Sequence, residues 1–149
     1  MRILIIEDDN DKMQRIAKEI RAILKGVQLT EARSYQSGIH NIMTDKFDFL
    51  LLDMSLPVFD ISSEEDGFKV DAFSGRNILA EMSRKEVFVP TAIITMFETF
   101  GEGADLMTLQ ELDKDLKEKY PAVYRGAIYY NSSEINWKES LKKLFEEGS

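Results

Sequence analysis

Residues 3–6 read Ile-Leu-Ile-Ile and residues 49–52 read Phe-Leu-Leu-Leu, and each run stops at acid, Glu7-Asp8-Asp9 after the first and Asp53 after the second. Runs this short do not make buried helices, and without polar alternation they do not lie on a sheet with one wet face. They predict strands buried on both sides, the pattern of a parallel sheet covered above and below by helices.

The rest of the chain supplies those helices. Met13, Ile16, Ala17, Ile20, Ile23 and Leu24 recur at helical spacing, with a cap at Asp9 or Asn10 and a stop at Gly26. A second strand is expected over 27–32, a second helix over 37–44 and a third strand over 47–52. Helix three is expected over 74–85, with Ile78, Leu79 and Met82 facing inward, and strand four over 87–95. A long charged fourth helix over 104–120 carries Leu106, Leu109, Leu112 and Leu116 on one side, its run of charges forming a solvated face, and ends at Pro121. Strand five is expected over 127–130 and a closing amphipathic helix over 137–147. Strands alternating with helices in this way argue for one α/β domain spanning 1–149, followed by no output domain. The irregular stretch is 58–73, acidic and Ser-containing; its 60–67 portion superficially resembles a calcium loop, but glycine and glutamate are misplaced, so a solvated loop is expected.

Composition narrows the function. Nineteen Lys and Arg against 27 Asp and Glu leave a net charge of −8, which repels nucleic acid and anionic lipid headgroups. The absence of Cys excludes disulfides and thiolate metal sites, and a single His, His40, argues against a transition-metal centre. With neither a secretion signal nor a membrane span in view, a cytoplasmic location is expected.

In an open α/β sheet, ligands bind beyond the carboxyl ends of the strands. That edge should gather Glu7-Asp8 from strand one, Asp53 from strand three and Thr95 from strand four. Crowded carboxylates call for a hard divalent cation, and Mg²⁺ suits one or two carboxylates plus a phosphate. Asp53 is then a candidate carboxylate nucleophile toward a phosphoryl group, and Thr95 a hydroxyl able to donate to it.

Three segments, 3–9, 49–57 with Asp53 followed four residues later by Pro57, and 92–95 (Ala-Ile-Ile-Thr), resemble in order the receiver domain of two-component response regulators, the CheY-like family. The resemblance covers nearly the whole chain. It implies a flavodoxin-like (βα)5 fold, doubly wound, with a parallel five-stranded sheet of order 2-1-3-4-5. It further implies Asp53 as phosphoacceptor, Thr95 as switch hydroxyl, and Mg²⁺ held by Glu7, Asp8, Asp53 and the backbone carbonyl of Ser55. The implied partners are a histidine kinase or phosphotransfer protein upstream and a protein bound through the helix 4–strand 5–helix 5 face downstream, which also serves homodimers. No direct contact with nucleic acid or membrane is expected, and no enzymatic activity beyond self-phosphorylation and autodephosphorylation at Asp53.

The chain departs from the family at the end of strand five. No lysine lies between Arg125 and Lys138, so Asn131 or Ser132 takes the position of the family's phosphate-contacting lysine and brings no positive charge. Bulky Met96 follows Thr95, and the stretches on either side of Thr95 are each roughly ten residues longer than the family's. The first excess predicts a flap beside the active edge, the second a lengthened helix four. The alternative is a degenerate receiver acting as a phosphorylation-independent protein-binding module. A metal-dependent phosphotransferase or nuclease of the toprim or haloacid-dehalogenase kind fits poorly, since Ser55 stands where both want a second aspartate.

Overall fold

The apolar runs do become strands buried on both faces. A computed structural model describes residues 1–60 and 70–147; the expected flap falls largely on 61–69, outside the described residues. Strands β1 (Arg2–Ile6), β2 (Gln28–Ala32), β3 (Phe49–Leu52), β6 (Thr91–Thr95) and β9 (Tyr124–Tyr129) form one parallel sheet in the order β2-β1-β3-β6-β9. Counting only these five, the order is the expected 2-1-3-4-5. Successive side chains alternate between two cores. Leu4, Ile6, Leu50, Leu52 and Ile93 pack under α2 (Tyr35–Thr44), α3 (Ser74–Arg84) and α4 (Leu109–Lys119). Ile3, Ile5, Phe49, Leu51 and Ile94 pack under α1 (Asn10–Ile23) and α5 (Asn136–Glu147).

Local chemistry sets the helix starts. Asp9, not Asn10, caps α1, its carboxylate accepting from the Lys12 N–H at 3.0 Å. Ser34 and Ser37 cap α2 reciprocally, which brings its start forward to Tyr35.

Three expectations need correction. Strand β6 begins at Thr91 rather than at 87, because Pro90 has no N–H to give a ladder; its carbonyl still accepts from Leu50. Strand β9 begins earlier, at Tyr124, with a register irregularity absorbing Arg125-Gly126, the two residues that interrupt the apolar run. The fourth helix is not long. It starts at Leu109, where Thr108 and Glu111 form a capping box. The residues before it fold into an antiparallel ribbon, β7 (Thr99–Phe100) with β8 (Met107–Thr108), around a 3-10 turn at Gly103–Asp105. Gly101 and Gly103 hold φ of +80° and +58° in that turn, a conformation the helical pattern of leucines does not reveal. The extra residues after Thr95 thus build a ribbon beside the sheet edge. A second ribbon, β4 (Leu56–Pro57) with β5 (Val70–Asp71), brackets the undescribed 61–69. Among the described residues no helix is long and apolar enough to cross a membrane.

Candidate functional site

Strand register assembles the site. Ile6 pairs with Leu52 and Leu52 with Ile93, so the next residues, Glu7, Asp53 and Ile94, arrive at one level on the carboxyl edge. The Asp53 N–H donates to the Ile6 carbonyl at 3.0 Å, and Asp53 Oδ1 accepts from the Met54 N–H at 2.7 Å. That bond fixes the carboxylate's rotation.

Carboxylate oxygens of Glu7, Asp8 and Asp53 all lie within 4.8 Å of one another. Glu7 and Asp53 are buried and Asp8 is half-buried. Burial first, then the charge of Asp53, pushes the Glu7 carboxyl up to about 8 against the pull of Lys12; the same two causes raise Asp8. Such a cluster is short of positive charge. Three hard oxygen donors so close together suit a hard divalent cation such as Mg²⁺.

Asp8, Asp53 and Ser55 lie on the wall of a cleft of about 310 Å³, with Val70, Met96 and Phe97 also lining it. Met96 and Phe97 are partly exposed, so the bulk expected after Thr95 does sit at the entrance. The Ser55 hydroxyl donates to the Ala72 carbonyl at 3.2 Å, and the Ser74 hydroxyl to the Leu56 carbonyl at 2.9 Å, tying the β4–β5 ribbon to the cleft. Thr95 is fully buried at the end of β6, its Oγ1 accepting from the Phe97 N–H at 3.3 Å.

Gly75 anchors the other side. Its N–H donates to the Met54 carbonyl at 2.9 Å, and a Cβ built on it meets the Asp53 carbonyl oxygen at 2.9 Å and Met54 Cα at 3.2 Å. Both are backbone atoms that cannot swing aside. We expect Gly75→Ala to cost about 1–3 kcal/mol of stability as a lower urea midpoint; an unchanged midpoint would mean that α3 slides freely against the Asp53 turn.

The end of β9 does not face the acids with a polar group. Asn131 Oδ1 accepts from the Ser133 N–H at 3.1 Å and from the Ser133 hydroxyl at 2.8 Å. Ser132 is exposed and lines a separate hollow with Arg15 and Lys18. Of the neighbouring tyrosines, Tyr130 is the buried one, its ring 4.9 Å from Trp137, while Tyr129 is exposed. The cation at the cluster comes from elsewhere. Lys12, one turn into α1, is 1% exposed; its Nζ lies 2.5 Å from Glu7 Oε1 and 3.4 Å from Asp53 Oδ2, and donates to the Ile94 carbonyl at 2.8 Å. Sequence reasoning passed it over. The available signal was a lysine four residues before Ile16, on the apolar stripe of a helix whose other stripe residues are hydrophobic.

No family model matches the chain. It is 30% identical over 144 residues to the uncharacterized protein y4jR of Sinorhizobium fredii, covering 95% of each chain. It is 29% identical over 148 residues to the Detocs response regulatory protein DtcB of Enterobacter cloacae, covering 97% of this chain and 98% of the relative. Among solved structures, the receiver domain of the Francisella response regulator 1452 superposes with a TM-score of 0.62 at 14% identity, covering 99% and 98% of the two chains. The response regulator TrrA of Thermotoga maritima, in complex with Mg²⁺–BeF, gives 0.61 at 17% identity, covering 96% and 97%. The architecture is that of CheY-like receivers. The chain shares the receiver fold of response regulators, and its sequence is similar over nearly its whole length to one protein named a response regulatory protein.

Proposed function

We propose that this receiver takes a phosphoryl group onto Asp53 from a histidine kinase or phosphotransfer protein and thereby changes its binding to a downstream protein in the cytoplasm. The observation that carries the reading is Asp53 itself, fixed by the Met54 N–H beside two further carboxylates and opening on a cleft. The relative DtcB, named a response regulatory protein, is consistent with it.

Asp53 Oδ attacks phosphorus, the Oδ–P bond forms, and the donor's P–N bond breaks with its electron pair leaving on the imidazole nitrogen. Phosphoryl transfer asks the protein mainly for alignment and charge neutralisation. Mg²⁺ held by Glu7, Asp8, Asp53 and the Ser55 carbonyl supplies part of that charge when bound. The Thr95 hydroxyl, which now accepts from Phe97, turns to donate to a phosphoryl oxygen, and this exchange reports the modification. Asn131 or Ser132 occupies the family's lysine position without charge. The partner docks on the face formed by α4, β9 and α5, where Tyr129 is exposed, and a homodimer through the same face fits this reading. Self-phosphorylation and autodephosphorylation are the chemistry proposed; a net charge of −8 argues against nucleic acid as a direct partner.

The test is intact mass after incubation with acetyl phosphate and Mg²⁺. One added phosphoryl group, absent when EDTA replaces Mg²⁺, is expected; no adduct on folded protein would remove the reading.

A further inference from the structure

A buried ammonium is costly unless acceptors surround it, so a chain that keeps one inside its acidic edge keeps it in a defined place. Lys12 Nζ donates to the Ile94 carbonyl and lies within ion-pair range of Glu7 Oε1 and Asp53 Oδ2. The Asp53 contact is the longest of the three, at 3.4 Å. Glu7 and the Ile94 carbonyl therefore anchor the ammonium, while its side toward Asp53 keeps room to adjust. The Tyr130 ring, 5.8 Å from Nζ, closes the side where β9 ends. Among the described residues, Lys12 is the one Lys or Arg with a charged nitrogen within 4 Å of Glu7 or Asp53.

Resting on the phosphoacceptor reading, we propose that Lys12 is the phosphoryl-contacting cation of this receiver, delivered from the first turn of α1 rather than from the end of the fifth sheet strand. With all three carboxylates ionised beside one ammonium the cluster stands at −2, the charge that one divalent cation balances. When Asp53 is esterified, its phosphoryl group carries about two negative charges where the carboxylate carried one. The ammonium moves from Asp53 Oδ2 to a phosphoryl oxygen, stabilising both the transfer and its product. Glu7 takes a correspondingly different part. It is absent from the cleft wall that Asp8 and Asp53 line, and its Oε1, 2.5 Å from Nζ, seats the Lys12 nitrogen.

This assignment makes Lys12→Gln act in opposite directions on two ligands. Removing the ammonium takes a competing positive charge away from Glu7 and Asp53, so Mg²⁺ alone, measured by calorimetric titration, should bind several-fold tighter. Uptake of phosphoryl from acetyl phosphate, and binding of beryllofluoride with saturating Mg²⁺, should each fall at least tenfold. A lysine that merely held the fold would weaken all three together. Native phosphorylation rates in folded Lys12→Gln would overturn the proposal, as would Mg²⁺ binding that weakens in parallel with phosphoryl uptake. If Lys12→Gln fails to fold, the pair Glu7→Gln with Lys12→Met removes both charges of the buried contact. Slower labelling of that pair than of Glu7→Gln alone, both at saturating Mg²⁺, supports the assignment, and equal rates overturn it. Absence of labelling in the native chain removes the phosphoacceptor reading, whereas normal labelling of both native and variant chains removes only the Lys12 assignment.

Discussion

Asp53→Asn is expected to abolish phosphoryl uptake completely and, in the same molecule, to raise the stability of the metal-free protein above pH 8. The first effect follows from chemistry, because a carboxamide has no anionic oxygen to attack phosphorus. The second follows from the charges around it. At an effective dielectric constant near 20, a repulsion between Asp53 and a neighbouring carboxylate at the outer limit of 4.8 Å costs roughly 3–4 kcal/mol, and the attraction of Lys12 at 3.4 Å returns roughly 5. Two repulsions exceed one attraction, though solvent screens the half-buried Asp8 and trims its share. The asparagine oxygen can still accept from the Met54 N–H. We expect a net gain of about 1–2 kcal/mol near pH 9, where Glu7 is ionised, and a loss near pH 5, where Glu7 is protonated and the Lys12 attraction exceeds the screened Asp8 repulsion. Urea midpoints in EDTA at the two pH values, beside intact mass after acetyl phosphate, read both effects. Uptake by the variant would place the modification on another residue. A loss of stability at pH 9 as well would mean that the Asp53–Lys12 attraction outweighs the carboxylate repulsion even with Glu7 ionised.

That trade explains why this edge of the sheet was legible from sequence. Acids at the ends of wholly apolar strands are expensive in an unliganded fold, and a chain that carries them at two neighbouring strand ends is marked at its site. Register then did what the pattern required, bringing Glu7 and Asp53 level. What the pattern could not show were features decided by tertiary partners. Leu106 and Leu109 continue a helical leucine spacing, yet Leu106 lies outside α4 because two left-handed glycines and the Thr108 cap turn the chain first. Pro90 and the Arg125-Gly126 irregularity moved strand ends for backbone reasons that hydrophobicity does not record. Lys12 was hidden for a different cause. A lysine next to acids in a helix's first turn normally points to water, and only the packing of α1 on β1, β3 and β6 turns this one inward.

Metal-free stability should fall as pH rises from about 5 to about 8, opposite to the acid-labile behaviour of ordinary salt-bridged carboxylates. Glu7 titrates near its ordinary 4.5 when unfolded and near 8 when folded, so between those values the folded state holds a proton that the unfolded state has released. Stability then declines with rising pH, because the slope of unfolding free energy follows protons bound by the unfolded state minus those bound by the native one. The contribution is whole below about 4.5 and is lost through about 8. That separation between the unfolded and folded values gives Glu7 alone a ceiling of about 5 kcal/mol, and Asp8, raised in the same direction, adds to it. Asp45 and Glu81, lowered by their arginine partners, act in the opposite sense, but Asp45 is exposed and Glu81 half-buried on the surface, so both are small in effect. Mg²⁺ should cancel the decline, since it binds the deprotonated cluster and displaces the Glu7 proton; its affinity should therefore climb with pH up to about 8 and then level. Urea midpoints from pH 5 to pH 9, in EDTA and in saturating Mg²⁺, measure both slopes. Glu7→Gln should flatten most of the EDTA curve. A metal-free midpoint that stays level or rises over that range would mean that Lys12 holds Glu7 ionised throughout, and that the buried pair, not a shared proton, balances this edge of the sheet.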